Sequence, residues 1–213
     1  MYIEIVNNSQ ELIAVFIIAT VMSISPGSDF VMVVRNTLGF GRTAGLYSSL
    51  GIACAIWLHV LYSIAGLALI ISKSVFLFSL LKYLGAAYLI YIGWKSFNSN
   101  SNLVINNEEG TNTLSNAMAF KIGFITNTLN PKTTLFFLSI FTQIVSVETS
   151  LSMQIIYGSI ISFMHLSWFS GCAVFLSHPA LLRRFNMYKD KIDKLVGIVL
   201  ISFGAKVAMS NSN

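Results

Sequence analysis

Hydropathy divides the chain into six apolar runs, near residues 12–34, 44–72, 75–97, 120–147, 151–177 and 192–209. A spanning helix needs about 20 mostly apolar residues, and most of these runs supply them. Composition points the same way. Of 213 residues, 55% are hydrophobic and only 10% charged, too little polar surface to clothe a soluble globule of this size. The expected fold is therefore an all-α membrane protein with six transmembrane helices. The last run is short and carries Lys206, whose ammonium must reach an interface. The first is preceded by Glu4 and Glu11 rather than by Lys or Arg and lacks a small-residue cleavage motif, so it is expected to stay as a helix. Cys54 and Cys172 fall inside apolar runs and read as small hydrophobes rather than as a disulfide.

The net charge of +5 fits membrane orientation better than nucleic-acid binding. Arg35 and Arg42 follow the first run, Lys95 and Lys121 flank the break after the third, and Arg183, Arg184, Lys189, Lys191 and Lys194 are expected in the loop after the fifth. Lys73 and Lys206 fall on the opposite side, with Lys82 and Lys132 inside spans. The positive-inside rule then makes the basic loops cytoplasmic and puts both termini outside.

Residues 98–119 form a polar stretch rich in Asn and Ser, expected to be a cytoplasmic linker between a first three-helix repeat, 1–97, and a second, 120–213. Three is odd, so the second half enters the membrane from the opposite side, as in an inverted-topology repeat. Pro26 and Pro131 lie 105 residues apart, each in the first span of its half, and His59 and His165 lie 106 apart in the second.

"SISPGSDF" at 23–30 and "TNTLNPKTT" at 126–134 interrupt those first spans with polar groups. Proline removes a backbone donor and clashes with the preceding turn, so Pro26 and Pro131 should each break a span. Ser25-Pro26 and Asn130-Pro131 read as N-cap and first-turn pairs starting new half-helices. Backbone N–H groups of Gly27 to Asp29, including Ser28, and of Lys132 to Thr134, including Thr133, would then form two positive poles. At about 1.5 Å per residue both approach the midplane, where they suit a carboxylate. Asp29 in a span costs at least about 2.5 kcal/mol and needs a partner or water. Lys132, a substrate ammonium or a proton would each serve. His59 and His165 fit proton relay or a single interhelical hydrogen bond equally well.

"GFGRTAG" at 39–45 lacks the Gly-Lys-Ser/Thr ending of a phosphate loop, so its glycines, Gly41 and Gly45 among them, read as a tight turn with close packing. No hydrolase motif and no metal-spaced cluster is present, and no cofactor or catalytic group is expected. Small residues in "GLYSSLGIACA" and "LGAAYLIYIG" permit close helix contacts, within one chain or in a homodimer.

Taken together, "SPGSDFVMVVRNTLGFGRTAGLYSSLGIACAIWLHVLYSIAGLALII", "LKYLGAAYLIYIGWKSF" and "GFITNTLNPKTTLFFLSIFTQIV" resemble the LysE/RhtB family of bacterial amino-acid exporters, from about Leu12 to Ser177. The resemblance implies efflux of amino acids or their derivatives across the cytoplasmic membrane, driven by protons. It carries the family's motif onto Pro26, Gly27, Asp29, Gly41, Gly45, Asn127, Asn130, Pro131 and Lys132. Ser28 departs from it, since many relatives have a second proline there. Alternating access around the two breaks, with Asp29 taking up and releasing a proton, is the mechanism expected. A passive channel, a structural membrane protein or a lipid enzyme are the rival readings.

Overall fold

The computed structural model describes residues 9–25, 27–73, 75–98, 114–145 and 149–209. Pro26 and residues 99–113 of the expected linker lie outside the described residues, as do the side chains of Lys73 and Lys82. Among the described residues the chain is helical: α1 (Ser9–Ile24), α2 (Ser28–Phe40), α3 (Arg42–Lys73), α4 (Val75–Phe97), α5 (Asn116–Thr128), α6 (Pro131–Ile144), α7 (Leu151–Phe175) and α8 (Pro179–Ala208).

Arg42–Gly66 of α3 and Leu151–Phe175 of α7 are each long and apolar enough to cross a membrane. Counted as one bent span, α1 and α2, inclined by 54°, make a third. The chain is a multi-pass membrane protein in which α3 packs on α5 and α7, and α4 packs on α8 and α6. Val15, Ile56, Phe137, Ile140, Tyr157 and Leu200 form the larger buried cluster. Ile13, Leu61, Phe163 and Leu195 face outward, as lipid-facing side chains do.

Small residues let the helix backbones approach. A Cβ on Gly51 would sit 2.2 Å from the Phe120 carbonyl oxygen, and one on Gly123 would sit 2.1 Å from that of Ser48, so the α3–α5 seam admits only glycine at both positions. The Ser48 hydroxyl joins the same seam, 3.2 Å from the Ala119 carbonyl, and accepts from Asn36 Nδ2 at 2.9 Å. Gly41 stands between α2 and α3 with φ of 88°, a left-handed conformation that glycine adopts without strain. Gly45 is helical and packs against Thr37 and Ala173.

α5 and α8 start earlier than the sequence reading has them. α5 begins at Asn116, capped by the Ser115 hydroxyl accepting from Met118 N–H, so the last residues of the polar stretch are already helical. The run expected as a basic loop after the fifth span is the first half of α8, and only Leu176–His178 connect α7 to it. Polar composition suggested a loop there, but α8 packs on α4 and buries Lys189 and Asp193, which are one turn apart and pair at 2.7 Å.

Candidate functional site

The second break is built locally. α5 ends at Thr128, and Asn130 caps α6 through its Oδ1, which accepts from Lys132 N–H at 3.0 Å, with Pro131 as the first helical residue. Asn-Pro is the sequence signal for such a start, because the amide caps the free N–H groups and proline has none to satisfy. The Thr134 hydroxyl turns back onto the Asn130 carbonyl at 3.2 Å.

The first break is built differently. α2 starts at Ser28 behind Gly27, whose φ of −171° is extended and which supplies no side-chain cap, so the expected Ser25-Pro26 start is displaced by two residues. Ser28 is exposed and Asp29 is buried in the first turn of α2. There its carboxylate lies at the positive pole of the helix.

The two breaks meet. Asp29 Oδ2 accepts hydrogen bonds from Asn127 Nδ2 at 2.8 Å and Asn130 Nδ2 at 3.0 Å. Asn127, at 0% exposure, also lies 3.4 Å from the hydroxyl of buried Thr133. In return Lys132 Nζ crosses to the first break, donating to the carbonyl and hydroxyl of Ser25 at 2.8 and 2.7 Å. Lys132 is in the first turn of α6, where that helix's own positive pole disfavours a cation, and it reaches instead the carbonyl end of α1. Asp29 Oδ1 is buried and has no hydrogen-bond partner among the described residues.

His59 and His165 are both buried, His59 against Asn127 beside the second break and His165 against Ser23 just before the first. His59 Nε2 lies 3.1 Å from the Asn127 carbonyl, which can only accept, so that nitrogen carries the proton and Nδ1 faces the Tyr62 hydroxyl. Its ring stacks on Phe137 with centroids 5.3 Å apart. His165 Nδ1 lies 2.8 Å from the Ile161 carbonyl and 3.1 Å from the Ser23 hydroxyl, one turn before the first break. Ser23 and Tyr62 escaped the sequence reading. Tyr62 lies one helical turn beyond His59, a spacing that would have flagged it.

Asp29, Asn130, Lys132, Thr133 and His165 line a cavity of about 10 Å³, room for one water. Ser25, Gly27, Asn130 and Lys132 also border a wider open pocket of about 550 Å³ that Pro131 helps to line. A carboxylate, an ammonium and a histidine around one small polar void can exchange a proton through a water held there, and the void shares Ser25, Gly27, Asn130 and Lys132 with the larger pocket. Among the described residues no group of three or more His, Cys, Asp or Glu is placed to hold a metal.

The chain is 35% identical over 207 residues to the uncharacterized membrane protein YrhP of Bacillus subtilis, covering 93% of this chain and 99% of that one. It is 29% identical over 197 residues to the leucine efflux protein of Salmonella typhimurium, covering 88% of this chain and 89% of the relative. The membrane protein YahN of Escherichia coli is 27% identical over 183 residues, 86% of this chain and 82% of that one. No solved structure matches. Residues 20–211, which include both breaks, His59, His165 and all of α2 to α8, match the LysE type translocator family, and the chain belongs to that family of transporters rather than to any family of enzymes.

Proposed function

We propose that this protein exports an amino acid across the bacterial cytoplasmic membrane by proton-coupled alternating access. The observation that carries the reading is the mutual clasp of the breaks, Asp29 of one half held by Asn127 and Asn130 of the other, and Lys132 reaching back to Ser25. A zwitterion needs an anion for its ammonium and a cation for its carboxylate, and the clasp offers both. Protonation of Asp29 removes the charge that the two amides solvate and loosens the clasp, which lets the halves part. Relatives named leucine efflux proteins favour an aliphatic amino acid as the cargo.

Six spans arranged as a 3+3 inverted repeat, 1–97 and 120–213 about the 98–119 linker, suit this mechanism. Several contacts support the arrangement. His59 touches the second break and His165 the environs of the first, a crosswise pairing that a two-fold axis in the membrane plane would generate. Gly93 and Gly197, 104 residues apart, meet at the α4–α8 seam, close to the offset of the prolines and histidines. The halves are not in equal positions: α6 packs on α4, while α2 makes no comparable contact with α8 among the described residues. Such asymmetry is what one side of an alternating-access cycle requires, and the wide pocket lies in the unpacked gap.

Exposed Arg35, Arg42, Lys95 and Lys121 keep the basic side cytoplasmic in this reading and the termini outside. Gly45, Gly51, Gly85 and Gly93 are packed inside one chain, so a homodimer, if formed, uses other surfaces. The test is export of labelled leucine from proteoliposomes under an imposed pH gradient. Uphill, protonophore-sensitive movement lost in Asp29→Asn is the expected result. Downhill equilibration indifferent to protonophore would make the protein a channel, and full gradient-driven export by Asp29→Asn would remove the coupling role.

A further inference from the structure

The wider pocket holds a feature that the clasp does not use. Its walls come from Val31 of α2, Ile92 and Lys95 of α4, Leu135 of α6, and Lys189 and Asp193 of α8. Lys189 and Asp193 are 3% and 2% exposed, and the ammonium meets Asp193 Oδ2 at 2.7 Å. Burying such a pair in apolar surroundings costs about as much in desolvation as attraction returns, so packing alone gives no reason for it. Asp193 Oδ1 is also buried and has no hydrogen-bond partner among the described residues, a cost that a ligand's donor would relieve. The Ser96 hydroxyl donates to the Asp193 carbonyl at 2.9 Å, which fixes this turn of α8 beside Lys95.

Size and charge agree. At about 550 Å³ the pocket falls in the roughly 300–1,000 Å³ range of small-molecule sites, whereas the void at Asp29 admits a single water. Cationic Lys95, Lys132 and Lys189 outnumber anionic Asp193 on its walls, and Val31, Ile92 and Leu135 supply an aliphatic side.

We infer that this pocket is a staging site for an α-amino acid with an aliphatic side chain, in which Asp193 Oδ1 takes the ammonium and Lys95 the carboxylate. It rests on the export reading, and it adds a binding step before the clasp. Bound there, the amino acid lies against Lys132, the partition shared with the Asp29 cavity. Opening the clasp then passes it inward. Selection for a free ammonium and a free carboxylate is made at Asp193 and Lys95, and translocation is made at Asp29.

Leucine transport in proteoliposomes, with N-acetylleucine and leucine methyl ester as competitors, tests this. Asp193→Asn is expected to raise the half-saturating leucine concentration about tenfold with little change in maximal rate, and to leave the weak competition by N-acetylleucine unchanged. Lys95→Gln should weaken leucine similarly and spare the methyl ester. Lys95 is exposed, so that variant carries the test if Asp193→Asn fails to fold. Wild-type transport with unaltered half-saturation in Lys95→Gln and in any folded Asp193→Asn overturns the staging site. Absence of saturable amino-acid transport in the wild type overturns the export reading itself.

Discussion

The second break carries its own instructions and the first does not. Asn130 and Pro131 cap and start α6 from within four residues of chain, whereas α2 begins behind an uncapped Gly27, and the groups around Ser25 and Asp29 are satisfied by side chains a hundred residues away. One break is a local structure, and the other is a tertiary one. A helix start fixed by tertiary contacts depends on those contacts staying in place, whereas a locally capped one does not.

That contrast predicts a graded series, read as unfolding midpoints in mild detergent. Lys132→Met should be the most damaging, by about 3 kcal/mol, because it strips Ser25 of its donor and leaves the Asp29 charge buried without the cation that shares its cavity. Asn130→Ala comes next at about 2 kcal/mol, having lost both the cap to Lys132 N–H and a bond to Asp29. Asn130→Ser keeps a capping hydroxyl but cannot reach Asp29, so it should cost about 1 kcal/mol, while its export falls as far as that of Asn130→Ala. Gly27→Ala should matter least, about 0.5 kcal/mol, since the extended backbone accepts any residue and a Cβ would meet the Lys132 side chain at an ordinary 3.5 Å. If Lys132→Met were as mild as Gly27→Ala, the first break would be self-supporting and the contrast would fail.

Legibility in the sequence followed the same line. Asn130-Pro131 announces a helix start to any reader, and the structure places that start where the dipeptide says. Ser25-Pro26 suggests the same, yet α2 begins at Ser28, behind Gly27, which has no side chain to cap it. Asp29 stood out as a charge in an apolar run, but its natural partner by charge was Lys132, and the described bonds to Oδ2 come from two neutral amides. Amides give no hydropathy signal strong enough to be paired across a hundred residues. Lys189 and Asp193 were hidden for the opposite reason: in "YKDKIDK" they sit among exposed charges, and only the packing of α8 on α4 selects which two are buried.

The sequence by itself determined that this chain lives in a membrane, that it is built of apolar helices, and that small residues permit close helix contacts. These are properties of residues and their near neighbours, fixed by solvation and backbone sterics. Tertiary structure alone decided that the interruptions face one another, that His59 lies against Asn127 and His165 against Ser23, and that a buried ion pair borders the wide pocket. Those facts depend on helix rotation and depth, which small shifts in packing set and which no local run of residues encodes.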